Sequence, residues 1–261
     1  MEAVLSIAGS DCSGGAGIQA DIKTIEAHML YAETVITSLT AQNTTGVYGI
    51  YPVDPSFVAQ QIDVVFDDIC PDAVKIGMLG TADVINVVAE RLQHHKACNI
   101  VVDPVLGATS GSALMEDDAP AALLKKLMPL AKVVTPNIPE TEALCGLQIA
   151  NHNDMREAAY ILKESCPDSA ILVKGGHRIV DADDFLLTEH GREVWMRHKH
   201  IETPNTHGTG CTLSSAIACN LAQGAETQAA VQKAKNYVTA ALLHDLGLGK
   251  GSGPLNHMWN F

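Results

Sequence analysis

The sequence predicts a doubly wound α/β domain, in which helices cover both faces of a mostly parallel sheet. Apolar runs of strand length alternate along the chain with amphipathic runs of helix length. Strand candidates such as Ile100–Val102 are apolar throughout, which is typical of strands that are buried on both faces. The connections between runs are short, and no interdomain linker or internal repeat is visible. We therefore expect one domain that spans residues 1–261.

The predicted elements follow this alternation from the first residues onward, with apolar strand runs and helix runs of period 3.6. Strands of the parallel sheet are predicted at Val4–Ala8, Glu33–Gln42, Ala73–Ile76, Asn99–Val102, Lys132–Thr135 and Ala170–Lys174. Helices are predicted at Gly15–Leu30, Ser56–Asp67, Ala82–His94, Ala119–Met128, Glu140–Gly146, Asn153–Ser165, Thr209–Gln223 and Thr227–Leu246. The order is interrupted where Asp184–Thr188 and Glu193–His198 flank the turn 189–192. This pattern predicts an antiparallel hairpin at an edge of the sheet.

Composition and charge argue against several classes of protein. Hydrophobic residues make up 47% of the chain and charged residues 18%, as in ordinary globular proteins. The net charge of −13 argues against nucleic acid or an anionic membrane as partner, because both would repel an acidic surface. No stretch approaches the ~20 apolar residues of a transmembrane helix, and no targeting segment is visible. Seven scattered cysteines without a CxxC pair favour reduced thiols and no zinc site, so we expect a cytoplasmic protein.

Ligands of open α/β sheets gather at the carboxyl ends of the strands, and the segment His207–Thr212 is the first candidate there. Gly208 and Gly210 let the backbone turn sharply before a helix of small residues. Free N–H groups at that helix start would form an anion hole for a migrating phosphoryl group. Cys211 lies in the first turn, where the helix dipole is expected to lower its pKa toward neutrality and make it a proton acceptor. The alternative is a glycine-rich turn with a packed structural cysteine.

Three more segments place polar side chains at strand ends. Asn137 and Glu140 lie three residues apart at a strand-to-helix junction. The Glu140 carboxylate could hold Mg²⁺ there. The simpler interpretation is that both residues cap the helix. Asp103 ends an apolar strand beside the crevice, which suggests the magnesium or triphosphate region, while a plain Asp-Pro turn is the alternative. Lys174 ends another strand and could reach phosphate oxygens, and a surface lysine before a turn is the simpler interpretation.

A glycine-rich loop, Gly9–Gly17, connects the first strand to the first helix. It is not a Walker A loop, because no Gly-Lys-Ser/Thr follows at the required spacing, and it is not a dinucleotide-binding fingerprint. Asp21 and Gln42 lie near this loop, and either could bond a ring nitrogen or an amino group. Alone, each residue is more often a surface or capping residue.

Together and in this order, the segments resemble the ribokinase superfamily, and within it the hydroxymethylpyrimidine/phosphomethylpyrimidine kinases. The resemblance runs nearly end to end, over Ile7–Asp21, Thr40–Thr44, Lys75–Leu79, Asp103–Val105, Thr135–Asn137, Val173–His177 and Asn205–Thr212. It implies a ribokinase-like three-layer α/β/α fold with a mostly parallel central sheet and a small edge hairpin. It also implies an ATP- and Mg²⁺-dependent kinase of thiamin synthesis. Such an enzyme phosphorylates 4-amino-5-hydroxymethyl-2-methylpyrimidine and then its monophosphate.

The resemblance implies a role for each matching residue. The residues around the pyrimidine would be Gly9, Asp21, Gln42, Met78 and Val105, of which Gln42 would make the discriminating bonds. The anion hole would come from Gly208, Thr209 and Gly210, and Cys211 stands where most ribokinases have an aspartate base. The nucleotide would be contacted by Asn137, Lys174 and Thr206, and the magnesium side would hold Asp103 and Glu140. We expect Cys211 to matter less than the anion hole and Lys174, because phosphoryl transfer depends mainly on positioning and electrostatics.

Other interpretations stay open within and outside the kinases. The chain could be a pyridoxal, pyridoxine or sugar kinase of the same fold, or a ligand-binding homologue without catalysis. Related dual pyridoxal/pyrimidine kinases carry a cysteine lid near position 108, and Ala108 cannot form one, which weakens the pyridoxal interpretation. The family is commonly homodimeric, and hairpin residues such as Phe185 or Trp195 could contribute apolar contacts to a dimer.

Overall fold

A computed structural model describes residues 1–107, 115–116, 118–176, 183–197, 201–259 and 261 of the chain. Within these residues the strands are β1 Ala3–Asp11, β2 Tyr31–Asn43, β3 Gly46–Pro52, β4 Ala73–Ile76, β5 Ile100–Val102, β6 Val133–Val134, β7 Ala170–Val173, β8 Asp184–Leu187 and β9 Glu193–Met196. They form one sheet in the order β3-β2-β1-β4-β5-β6-β7-β8-β9. The six strands from β2 to β7 in this order are parallel, while β3, β8 and β9 are antiparallel at the two edges. The predicted sheet and its edge hairpin are confirmed.

The α-helices of the described residues are α1 Gly17–Ala27, α2 Pro55–Asp68, α3 Ala82–His94, α4 Ala119–Ala122, α5 Ile138–Cys145, α6 His152–Ser165, α7 Thr209–Ala222 and α8 Thr227–Leu243. Four of them, α2, α3, α5 and α6, begin at side chains that cap them. The side chains of Asp54 and Thr81 accept hydrogen bonds from the first turns of α2 and α3. Capping boxes at Asn137 and Asn151 start α5 and α6. None of the helices in the described ranges is long and apolar enough to cross a membrane.

Two apolar clusters hold the helices against opposite faces of the sheet. Leu5 and Ile7 of β1 point to one face, where they join residues of α2, α3 and α6. Val4 of the same strand points to the other face, where it joins residues of α1, α7 and α8. Because successive strand residues alternate between faces, a strand covered on both sides must be apolar throughout. This arrangement is the three-layer α/β/α fold that the resemblance implied.

The fold differs from the prediction in two places. Strand β3 was not predicted, because Tyr48, Ile50 and Tyr51 are all exposed and give the run no buried face to mark it. The helix predicted over Ala119–Met128 breaks into α4, a π-helical turn and a 3₁₀ turn that ends at Leu130. The segment 108–111, His177 and the predicted strand end at His198 lie outside the described residues.

A buried ion pair joins the sheet to the helices of one face. Lys75 of β4 lies with its Nζ 2.8 and 2.9 Å from the two carboxylate oxygens of Asp21 in α1, and both side chains are fully buried. Ser6 of β1 and Ser215 of α7 donate hydroxyl hydrogen bonds to the same carboxylate at 2.6 and 2.7 Å. A buried pair is tolerable only when its remaining hydrogen-bonding capacity is satisfied, and here the carboxylate accepts four hydrogen bonds from three residues. The pair therefore fixes α1 and α7 relative to the sheet.

Candidate active site

The loops that follow the parallel strands converge at one edge of the sheet. Strands β1, β4, β5, β6 and β7 are neighbours and parallel, so their carboxyl ends lie side by side. Most of the predicted site lies there: Gly9 is within β1 near its carboxyl end, and the residues after the strands include Met78, Asp103, Val105, Asn137, Glu140 and Lys174. Helix α7 begins against the same edge. We call this region the strand-end site.

Helix α7 starts with its N-terminal amides directed at the strand-end site. Gly208 is the residue before the helix and has φ +82°, and no side chain caps this end. The first N–H groups of a helix have no carbonyl partner within it, so Gly210 and Cys211 keep free donors in the first turn. The N–H of Thr209 instead donates to the carbonyl of Thr206 at 3.2 Å. Of the three amides predicted to form an anion hole, that of Thr209 is thus already bonded, while those of Gly210 and of the next residue, Cys211, are available to a ligand.

Lys174 and Asp103 lie directly beside this first turn. Lys174 Nζ is 2.7 Å from Asp103 Oδ1, which also accepts a hydrogen bond from the Thr135 hydroxyl at 3.1 Å. A Cβ added at Gly210 would lie 3.2 Å from Asp103 Oδ2 and 3.4 Å from Lys174 Nζ. Burial lowers the pKa of Lys174, but the charges of Asp103 and Glu140 outweigh it and raise that pKa above its usual value. A permanently charged ammonium group therefore borders the free amides.

Asn137 and Glu140 cap α5, as the simpler interpretation of the sequence expected. The Asn137 side chain accepts from the Glu140 N–H at 2.9 Å, and Glu140 Oε2 accepts from the Asn137 N–H at 2.7 Å. Glu140 is also part of the charge cluster. Burial raises its pKa to about 7, Lys174 opposes this change, and the negative charge of Asp103 adds to it. The capping role and a role near phosphate or metal are therefore compatible.

The donor set of Asp103 and Glu140 suits Mg²⁺. No group of three or more His, Cys, Asp or Glu side chains suited to a metal occurs in the part of the chain that the structure describes. Mg²⁺ usually binds one or two carboxylates and takes its other oxygens from water and substrate phosphates. The negative charge of Asp103 helps to raise the pKa of Glu140, so the two carboxyl groups repel each other when both are ionised. A cation between them would relieve this repulsion, which is consistent with that pattern.

Cys211 is a thiol here, which corrects the expectation of a lowered pKa. Burial raises the pKa of Cys211 to about 11. Lys75 and the N–H of Gly17 oppose this change, while the charges of Asp21 and Asp103 add to it. The helix start alone does not decide the acidity of the thiol, because desolvation disfavours the thiolate more strongly.

The structure brings Gly9 and Met78 together at the substrate side of the site. A Cβ added at Gly9 would lie 2.7 Å from Met78 Cε and 2.8 Å from Ser38 Oγ, so a larger residue there would displace these side chains. Val105 follows Asp103 closely, and its N–H donates to the Asp103 carbonyl at 2.8 Å. These apolar groups border the edge of the sheet where the polar cluster lies.

Asp21 does not contact the site surface. Its side chain is fully buried and bonds Lys75, Ser6 and Ser215, so the role of pyrimidine ligand implied by the resemblance does not fit the structure. Asp21 instead has an indirect role: it joins α1 to α7, and α7 begins at the strand-end site. This supporting role has no local signal in the sequence, since an Asp inside an amphipathic helix usually faces solvent.

Gln42 is the next-to-last residue of β2 and contacts His207, which in turn contacts Asp11; the sequence analysis assigned no role to either residue. Gln42 Nε2 lies 3.3 Å from His207 Nε2, and His207 Nε2 lies 2.8 Å from Asp11 Oδ2. Asp11 also accepts hydrogen bonds from the N–H groups of Gly15 and Ala16 at 3.2 and 2.9 Å. Both residues belong to segments that matched the family, but their contact joins positions 196 apart in the sequence and leaves no local signal.

Thr206 lies on the exposed side of the same loop. Its N–H and hydroxyl lie 3.3 and 3.1 Å from the Ser252 hydroxyl. Ser252 belongs to the glycine-rich segment Gly247–Pro254 near the end of the chain, so Thr206 contacts that segment. The N–H groups of Lys250 and Gly251 in turn donate to the Thr44 hydroxyl at 3.1 and 3.2 Å. The segment thus closes one side of the strand-end site.

Comparison with known proteins assigns the chain to a family. The phosphomethylpyrimidine kinase family matches residues 11–256. This chain belongs to that family. The matched span contains every predicted site residue except Gly9, so the resemblance inferred from the sequence is confirmed.

Individual members agree with this assignment. A hydroxymethylpyrimidine/phosphomethylpyrimidine kinase from Haemophilus influenzae is 42% identical over 261 residues, which cover 98% of this chain and 97% of the relative. The crystal structure of phosphomethylpyrimidine kinase from Clostridium difficile 630 is 42% identical, with a TM-score of 0.81 and coverage of 92% of this chain and 98% of that chain. The pyridoxal kinase from Staphylococcus aureus in complex with AMP-PCP and pyridoxal is 30% identical, with a TM-score of 0.91 and coverage of 100% and 94%.

We predict that Gly208→Ala strongly impairs this phosphomethylpyrimidine kinase family member. The new Cβ would lie 1.9 Å from the Gly15 carbonyl oxygen at a positive φ, so the start of α7 must shift. A shift of about 1 Å in the amides is expected to lower kcat/KM about 100-fold. Gly224→Ala is the control, since Gly224 has φ +80° with open space around it. It should lose about 1–2 kcal/mol of stability and keep its activity. Equal kcat/KM values for the two variants would contradict the prediction.

Proposed function

We propose that this enzyme transfers the γ-phosphoryl group of ATP to the hydroxymethyl group of 4-amino-5-hydroxymethyl-2-methylpyrimidine, and a second one to the resulting monophosphate. Membership of the family supports the substrate class and the place in thiamin synthesis. One observation carries the proposal: Lys174 and Asp103 lie against the first turn of α7, where free amides and a cation meet at the strand ends. That arrangement stabilises negative charge as it moves between oxygens.

Each residue then has a physical task in the reaction. Lys174 and the amides of the first turn of α7 hold the migrating phosphoryl group, and Gln42, Gly9, Met78 and Val105 surround the pyrimidine. Thr206 and Asn137 lie toward the nucleotide. Asp103 and Glu140 would hold Mg²⁺, which, when bound, neutralises charge on the phosphates. The Cys211 thiol packs beside the amides, and at a pKa of about 11 it is a poor proton acceptor at neutral pH.

The pyridoxal kinases are the second candidate, because a pyridoxal kinase has the same fold at a TM-score of 0.91. A ligand-binding homologue without catalysis is disfavoured by the intact charge cluster.

We also propose that the chain is one domain, because its strands form a single sheet. A cytoplasmic location fits its seven free cysteines.

The decisive experiment is incubation of the enzyme with Mg-ATP and the hydroxymethyl pyrimidine, followed by mass spectrometry of the products. We expect the monophosphate to appear first and the diphosphate to follow. Pyridoxal and pyridoxine are assayed in parallel at equal concentrations. A higher kcat/KM for pyridoxal would assign the chain to the second candidate, and ATP or pyrimidine binding without product would remove the kinase function altogether.

Lys174→Ala should lower kcat more than Cys211→Ala. Loss of the ammonium group removes a charge beside the migrating phosphoryl group, and we expect a decrease of about 100-fold. Loss of the thiol leaves the backbone amides in place, so a decrease below about tenfold is expected. Cys219→Ala in the same helix is the matched control, because it removes a buried thiol away from the strand ends. Steady-state kinetics at saturating ATP provide the comparison. A Cys211 variant more than tenfold slower than the Lys174 variant would reverse this ranking.

We also propose a homodimer that forms through the edge of the sheet at β3. The exposed apolar side chains Tyr48, Ile50 and Tyr51 lie on β3, and Leu39 lies on the adjoining β2. An edge strand with free backbone groups and apolar side chains is suited to pairing with another chain. The hairpin at the opposite edge is less suited, because Phe185 is fully buried and Trp195 packs against it.

Substitution of arginine for both Tyr48 and Tyr51 should convert the dimer to a monomer. Two charges on the apolar edge oppose its burial against a second copy. Light scattering should give a mass near twice 27.6 kDa for the native chain and near 27.6 kDa for the variant. Tyr160→Arg is the control, because Tyr160 is an exposed tyrosine on α6, and it should remain dimeric. A monomeric native chain would disprove the proposal.

A further inference from the structure

The contact between Gln42 and His207 contains a donor–acceptor conflict. Asp11 is buried, which raises its pKa, but bonds from His207 and Ser13 outweigh this and lower it to about 2. The Asp11 carboxylate can therefore only accept, so His207 Nε2, at 2.8 Å, must carry the hydrogen and donate it. That same Nε2 is 3.3 Å from Gln42 Nε2, which is also a donor. Two N–H groups facing each other do not form a hydrogen bond.

The other end of the Gln42 side chain shows a matching conflict. Thr40 Oγ1 has a single hydrogen to donate and lies 3.0 Å from the Ser10 carbonyl oxygen, which can only accept. It also lies 3.1 Å from Gln42 Oε1, which can only accept. The oxygen and nitrogen of a carboxamide are nearly equal in size, so the bonding partners decide its orientation. One half-turn of the amide removes both conflicts. The oxygen then becomes the second, longer acceptor of the N–H that His207 shares with Asp11, and the nitrogen donates to Thr40.

We propose that the Asp11–His207 pair fixes the amide of Gln42 in this single orientation and thereby sets which pyrimidines the enzyme accepts. His207 is then a positioning residue, and Gln42 is the residue that contacts the substrate. The inference rests on the proposed function, in which Gln42 binds the pyrimidine ring. With His207 and Thr40 each taking one bond, the amide keeps one lone pair and one N–H for the ligand, in a fixed order.

That fixed order matches the edge of a 4-aminopyrimidine. Such a ring offers an amino N–H next to a ring nitrogen lone pair, and a carboxamide pairs with the two through two hydrogen bonds. A 4-oxo pyrimidine offers the reverse order, an oxygen next to a ring N–H. It would place like groups against each other unless the amide turned over. A site that leaves buried polar groups unpaired with the wrong ligand discriminates far more strongly than an apolar pocket.

The surroundings of His207 hold its ring in place. Its N–H donates to the Gly253 carbonyl at 3.1 Å, and the residue forms a β-bridge with Pro254. A Cβ added at Gly15 would lie 2.3 Å from the imidazole Cδ2, so the ring occupies the space that this glycine leaves open. His207 also directly precedes Gly208. Substrate recognition and the start of α7 are therefore set by adjacent residues of one rigid turn.

The test uses His207→Met, which keeps the size of the side chain and removes the donor, and His207→Gln, which places an amide donor near the position of Nε2. We measure kcat/KM at saturating ATP for the 4-amino pyrimidine alcohol and for its 4-oxo analogue.

The native enzyme should prefer the amino compound by about 100-fold or more. In His207→Met, this preference should fall at least about tenfold, mainly through a higher KM for the amino compound, because Gln42 can now turn over. The KM for ATP should stay within about twofold of the native value, since His207 is placed on the pyrimidine side. His207→Gln should restore most of the preference.

Two further variants separate positioning from folding. His28→Met removes a histidine that bonds the Thr24 carbonyl at 2.7 Å near the end of α1, and its preference should equal that of the native enzyme. Thr40→Val removes the partner at the other end of the Gln42 amide, and its preference should fall in the same direction as in His207→Met. Thermal unfolding of all variants establishes that they are folded.

The outcomes are distinct for the function and for the inference. A native enzyme that does not phosphorylate the amino compound removes the proposed function itself. The other outcome requires that the native enzyme is active and that the His207→Met and Thr40→Val variants are folded. If both variants keep the native preference within about twofold, the role of the Asp11–His207 pair is overturned. If His207→Met does not fold, an unchanged preference in Thr40→Val overturns it alone.

Discussion

The strand-end site depends on a backbone-to-backbone contact between two distant segments. Any Cβ at Gly208 would lie 1.9 Å from the Gly15 carbonyl oxygen, so the turn before α7 and the loop before α1 touch through atoms that every residue has. Because no side chain separates them, the N-termini of two helices meet beside the same strand ends. The free amides of α7, the His207 ring and the Cys211 thiol all take their positions from this contact.

A second constraint lies beneath that contact and holds the two helices to the sheet. Asp21 in α1 and Lys75 in β4 are both fully buried, and hydroxyl groups from β1 and α7 complete the carboxylate's bonds. Burying two charges costs several kcal/mol per ion before they pair, so such a pair is a poor way to gain stability alone. It does fix geometry, since four elements must be in register for the carboxylate to be satisfied. The arrangement also places charge close to the Cys211 sulfur, whose pKa responds to both partners.

The sequence predicted the architecture well because the architecture depends on local signals. Apolar runs, capping residues such as Asn137, and glycines before helices are visible without any partner, and the parallel sheet and its edge hairpin follow from their order. Strand β3 was missed because its exposed side chains, Tyr48 and Tyr51 among them, carry no buried face. The strand-end position of Asp103 and Lys174 was also predictable, since carboxyl ends of parallel strands share one edge.

What the sequence could not provide was burial and long-range pairing. The resemblance implied that Asp21 binds substrate, but the side chain is enclosed by residues far away in the chain. The pKa of Cys211 was expected to fall at a helix start, yet desolvation, which is visible only in three dimensions, raises it to about 11. Asp11 and His207 are in contact although they are 196 residues apart in the sequence, and neither residue carries a local signal for this contact. Each case depends on the dielectric environment or on a distant partner, not on local propensity.

The local arrangement of charges is compatible with the proposed binding of a polyphosphate to a protein with a net charge of −13. Near the amides of α7, the charges of Asp103 and Glu140 both act on Lys174 and raise its pKa. The pKa of Glu140 is itself raised to about 7. At neutral pH the Glu140 carboxyl group is therefore able to gain or lose a proton. A phosphate that approaches meets amide dipoles and an ammonium group, and an accompanying divalent cation would favour the ionised form of Glu140. Local arrangement, and not net charge, therefore decides which ligand the site attracts.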